Sequence, residues 1–205
     1  NVTGIDTSHV TDMAYMFYGC ESLKKLVLTG FDTSSVTDMS GMFSGCSGVT
    51  SVDVSSFDTS KVTGMSGMFR GCLSLTSLDV SGFDTSEVTD MNSMFYGCIK
   101  LTSVNVSGFD TSKVTDLGHM FCHCENLVSV DASGFDLSCN PDKNRMFLGC
   151  KNLKAIYCSE RSTEWSGIGD YMFQYCSSLV GMDGSKKVAY NANNCGVYMA
   201  KSAIA

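Results

Sequence analysis

The sequence predicts an α/β solenoid: a right-handed array of about seven 26-residue turns, each with one parallel strand and one short helix. Two steps of constant length carry this. Cysteine recurs at 20, 46, 72, 98, 124, 150 and 176, and a Met-Phe pair recurs from Met16-Phe17 and Met42-Phe43 through to Met172-Phe173. A third observation is the alternation that follows each cysteine, as in Val52-Asp53-Val54 after Cys46. Fixed periods between about 20 and 50 residues mark stacked units, each burying its apolar face on the next. Residues 1–183 are expected to form this single solenoid and 184–205 a capping segment or tail. The chain opens mid-repeat, since Asn1-Val2-Thr3-Gly4 matches Asn105-Val106-Ser107-Gly108, so it reads as a piece of a longer protein.

The elements follow from one unit, residues 31–56. Met39, Met42, Phe43 and Cys46 fall at i, i+3, i+4 and i+7, the apolar stripe of a short helix. Thr37 or Asp38 stands where an N-cap should, and Gly45 fits a C-terminal stop. Val52 and Val54 alternate with Ser51 and Asp53, the period of a strand with one face buried. Val36 and Met39 suggest a short extended stretch before the helix. Phe31 and its equivalents at 57, 83, 109 and 135 would fill the core, and Asp32-Thr33-Ser34 suits a chain reversal.

Bulk composition narrows function. Charged residues are 17% of the 205, apolar residues 43%, and the net charge is −7. Most of the aspartates sit at three repeat positions: the Asp32, Asp38 and Asp53 sets. Fourteen scattered Lys and Arg disfavour nucleic acid. No apolar run is long enough to span a membrane.

The spacing Cys-x-x-Leu-x-x-Leu-x-Leu is similar to a leucine-rich repeat. The full unit, as in FDTSKVTGMSGMFRGCLSLTSLDVSG (57–82), resembles the BspA-like leucine-rich-repeat family of bacterial surface proteins. The resemblance covers residues 1 to about 184; residues 135–158 keep the frame but depart from Val-Thr-Asp, and 172–187 look like a closing repeat. It implies an extracellular array at the cell surface or cell wall, with adhesive or partner-binding roles, and brings no catalytic residue.

Candidate sites are weighed against this scaffold. The seven-membered cysteine ladder reads as buried free thiols, because a small hydrophobe suits an inward stripe. Cys122, Cys139, Cys158 and Cys195 lie off the ladder, and a Cys158–Cys195 bridge over the open end is one arrangement. His119-Met-Phe-Cys122-His123-Cys124 has a metal-like look but lacks a second ligand pair, so no metal and no cofactor is expected. Aspartates of the Asp32 set can accept nearby backbone N–H groups, which makes them structural. The candidate binding face is the outward strand stripe: Asp53, Asp79, Asn105 and Asp131, flanked by Ser51, Ser77, Ser103 and Ser129. No Ser-His-Asp order and no phosphate loop stands out.

The expected function is therefore a non-enzymatic, monomeric surface protein that binds a protein or glycan partner. A structural spacer in a longer wall-associated protein is the alternative, favoured by the uniform Ser, Thr and Asp of the strand face. Two columns vary between repeats instead: His9/Ser35/Lys61/Glu87/Lys113/Cys139 and Tyr18/Ser44/Arg70/Tyr96/Cys122/Leu148/Gln174.

Overall fold

The structure, a computed structural model, describes residues 4–28, 30–158, 171–179 and 199–201; for Cys158 and 199–201 it describes the backbone alone. Successive 26-residue coils stack in parallel. On one side lie the strands β1 (Lys25–Leu26), β2 (Ser51–Val52), β3 (Ser129–Ala132) and β4 (Ala155–Cys158). Their register is one repeat, as in Lys25↔Ser51 and Val130↔Ile156, and the bridges Leu78↔Val104 and Asn105↔Asp131 continue it. A second parallel ladder runs Asp12↔Asp38↔Gly64↔Asp90↔Asp116↔Asp142. It is the short extended stretch expected near Val36. It also places Asp142 in register, so the coil at 135–158 keeps the aspartate that its altered sequence obscured.

The expected helix is absent among the described residues. In the 39–46 stretch, the N–H groups of Met42, Ser44 and Cys46 donate three residues back, to the carbonyls of Met39, Gly41 and Phe43 at 3.2, 2.9 and 3.1 Å. The intervening N–H groups of Met39, Gly41, Phe43 and Gly45 donate to the next coil, to Gly64, Ser66, Met68 and Arg70, at 2.7 to 3.0 Å. An α-helix needs each of those donors for its own i−4 carbonyl. Two left-handed residues per coil, here Gly41 (φ 61°) and Gly45 (φ 75°), fold the segment into turns and aim alternate amides along the stack.

The stripe is buried all the same: Met39, Met42, Phe43 and Cys46 are each 0% exposed. The rings of Phe17, Phe43, Phe69, Phe95, Phe121, Phe147 and Phe173 form one stack with centroids 5.3 to 5.8 Å apart. Ladder thiols donate to the previous coil, Cys46 Sγ to the Phe17 carbonyl at 3.1 Å and Cys124 Sγ to that of Phe95 at 3.0 Å. Cys20, in the first described coil, is the exception and is exposed.

Threonines of the Asp-Thr-Ser turns do more than reverse the chain. Thr33 is buried; its Oγ1 donates to the Asp58 carbonyl at 2.9 Å and accepts from the Asp58 N–H at 2.8 Å. At the far end, β4 pairs on its free edge with β5 (Met199–Lys201), with Ile156↔Met199 in register. The strand beside β4 therefore comes from the tail rather than from one repeat further on.

Candidate functional site

The strand stripe assembles as the sequence predicts. Register places Ser51, Ser77 and Ser103 beside Asp53, Asp79 and Asn105 along a shallow groove of about 550 Å³. Asp53, Asp79, Asn105 and Asp131 are exposed, as are Ser51, Ser77 and Ser103, with Ser129 half-buried. Each acid also closes a turn. Asp53 Oδ1 accepts from Ser55 N at 3.1 Å and from Ser55 Oγ at 2.6 Å, and Asp79 does the same with Ser81. These bonds, the hydroxyl first and the amide second, hold both carboxyls below their ordinary pKa.

The same device recurs at the other two aspartate sets. Asp32 Oδ1 takes the Ser34 N–H at 3.0 Å and Asp38 Oδ1 the Ser40 N–H at 2.8 Å. The aspartates are thus turn residues accepting from the amide two positions on. Among the described residues, no group of three or more His, Cys, Asp or Glu side chains gathers as a metal set.

A second groove lies on the turn side, about 450 Å³ in size, and includes Arg70, Tyr96, His119, His123, Arg145 and Leu148. The Arg70 guanidinium sits 4.8 Å over the Tyr96 ring, and His123 meets that ring edge-on at 5.8 Å. Arg145 lies 5.6 Å over Tyr171. Burial, then the charge of Arg145, lowers the His119 pKa, with Asp116 and Asp142 pulling the other way, so the imidazole is neutral at pH 7.

Left-handed residues with side chains line this groove, as they do in coils beyond it. At the Gly41 position the other coils carry Tyr15, Ser93, His119, Arg145 and Tyr171 at φ 55–61°, with glycine kept only at Gly41 and Gly67. At the Gly45 position His123 and Tyr175 replace glycine at φ 59° and 65°. Each such residue costs about 1 kcal/mol relative to glycine. Sequence reasoning singled out the varying column of Arg70, Tyr96 and Leu148 but not this one, since a helical reading gives Gly41 no reason to be glycine. The recurring glycine interrupted by large side chains was the available signal.

The cysteine expectations divide. Cys122 is buried and Cys139 exposed, and both are free thiols. Cys195 and the Cys158 side chain lie outside the described residues, as therefore does the bridge between them. No described helix is long and apolar enough to cross a membrane.

Parallel ladders at a constant 26-residue register, around one continuous apolar core, define a leucine-rich-repeat protein built of short coils. The family described as "Mycoplasma protein of unknown function, DUF285" matches residues 1–80 and 71–180, and the chain belongs to it, the BspA-like leucine-rich-repeat family. A solved leucine-rich-repeat protein of T. pallidum is 21% identical over 84% of this chain and 74% of its own, with a TM-score of 0.51, a likeness of fold. A leucine-rich cell surface protein of Faecalibacterium prausnitzii A2-165 is 17% identical over 81% and 74%, with a TM-score of 0.25, too low to indicate a shared overall shape. No curated relative matches the chain.

Proposed function

We propose that the chain is a non-enzymatic repeat module, displayed outside the cell at its surface or wall, that binds a protein or glycan partner through the strand stripe. Membership of the BspA-like family supports the location. The carrying observation is the register, which lines Ser51, Ser77 and Ser103 up with Asp53, Asp79 and Asn105 in one groove. Repeated polar groups on a rigid ladder suit an extended partner contacted at many points. Residues 1–183 supply the array, and 184–205 cap its end, a role supported by the pairing of β5 with β4.

The test is a glycan and host-protein array probed with the chain at high display density. Saturable capture that a Ser77→Arg/Ser103→Arg variant loses supports the stripe. No capture at any density favours the second reading, a spacer. One observation favours that reading: Asp53 and Asp79 make identical bonds to Ser55 and Ser81, leaving little to distinguish one coil from the next.

A further inference from the structure

We propose that the turn-side groove holding Arg70, Tyr96, His119 and Arg145 is a second binding site, for a carboxylate-bearing sugar residue. Its size, about 450 Å³, falls in the roughly 300–1,000 Å³ range of small-ligand sites. Two arginines line it in a chain of net charge −7. Among the described residues neither pairs with a carboxylate; the ion pairs are Lys113–Glu87 and Lys151–Glu125. The neighbouring acids are engaged in the scaffold: Asp116 accepts from Gly118 N and Asn92 Nδ2, and Asp142 from Asn144 N.

Arg70 lies over the Tyr96 ring at 4.8 Å, a contact that consumes none of its N–H donors, so they can grip an oxyanion. A neutral His119 offers both a donor and an acceptor, the pair that a sugar hydroxyl needs. Leu148 and the Tyr96 ring add apolar surface for the C–H face of a pyranose. A bare phosphate would use the arginines but not these walls.

The site stands apart from the strand stripe, and its test is independent. The intact 205-residue chain is titrated by calorimetry with a sialylated trisaccharide, a uronic-acid hexasaccharide, neutral lactose and inorganic phosphate. Saturable binding of at least one acidic sugar is expected, with Kd on the order of 1 mM or tighter. Lactose and phosphate should bind at least tenfold more weakly. The Arg70→Gln/Arg145→Gln variant, with both changes at exposed side chains, should lose at least tenfold in affinity while its circular dichroism is unchanged. The Ser77→Arg/Ser103→Arg variant should bind as the parent does. Binding of neither acidic sugar, equal binding of lactose or phosphate, or full affinity in the double-arginine variant overturns the proposal. None of those results touches the strand-side reading, which the array decides.

Discussion

Cys98 Sγ donates to the carbonyl oxygen of Phe69, one coil back, at 3.2 Å. The same carbonyl accepts the N–H of Cys72 within its own coil, also at 3.2 Å. Each ladder cysteine from Cys46 to Cys176 is therefore a buried donor that ties one coil to its neighbour. Cys98→Ala should lower unfolding free energy by about 1–2 kcal/mol, from the lost bond and the small void. Urea unfolding of the variant beside Cys98→Ser, which keeps a donor, separates the two contributions.

Burial pushes the thiol of Cys46 up to about 11 and that of Cys176 up to about 12, from an ordinary 9.0. Unfolded thiols ionise first as pH rises. Stability is thus intact below pH 9 and is lost as pH climbs towards 11–12. Denaturation midpoints measured from pH 8 to 11 should fall over that window. A thiol reagent at pH 8 should modify Cys20 and Cys139 in the native protein and leave Cys46, Cys72, Cys98, Cys124, Cys150 and Cys176 until it unfolds.

Lys143 occupies the core position that Met39, Met65 and Met91 fill in other coils, and it is 2% exposed. Its Nζ reaches Pro141 O at 2.9 Å and Asn140 Oδ1 at 3.3 Å, and burial lowers its pKa. Lys143→Met should raise stability at neutral pH by about 1 kcal/mol, since the repeat already accommodates Met there and the cost of burying a charge disappears. Thermal unfolding checks this.

Thr33→Val should cost about 1–2 kcal/mol, because it removes the Oγ1 partner of both the N–H and the carbonyl of Asp58 at a part-buried site. Its counterpart in a later coil is Leu137, where the chain has exchanged the threonine for an apolar side chain.

The stack was legible in the sequence because one period governs both sides of each coil. A strand alternates in and out, so Val52 and Val54 announce themselves. The turn segment was misread for a physical reason. Met39, Met42, Phe43 and Cys46 have helical spacing, yet a run of turns that coils once per repeat buries the same four residues. What distinguishes the two is the left-handed pair at Gly41 and Gly45, and one of these passes for an ordinary helix stop. The strand stripe was legible from alternation alone. The turn-side groove was legible in part: Arg70, Tyr96 and Leu148 share a varying column, but His119 and Arg145 lie in another and join them only through the coil geometry.

Arg145→Gly should illustrate the opposition between scaffold and groove. Glycine relieves the left-handed strain and should add up to about 1 kcal/mol of stability, while removing a guanidinium from the groove. Unfolding and acidic-sugar titration of the same sample report both effects.

On the turn side, residues of the 26-step hold the stack and residues that break it, Arg70 and Arg145, hold the acidic-sugar site. The most direct measurement is a thermal-shift titration with the acidic sugars, run on the parent, Cys98→Ala and Arg70→Gln/Arg145→Gln. Cys98→Ala should melt lower but keep its ligand-induced shift, and the arginine variant should lose the shift. A ligand-induced shift that survives without the arginines, or a cysteine variant that melts with the parent, would contradict this division of roles.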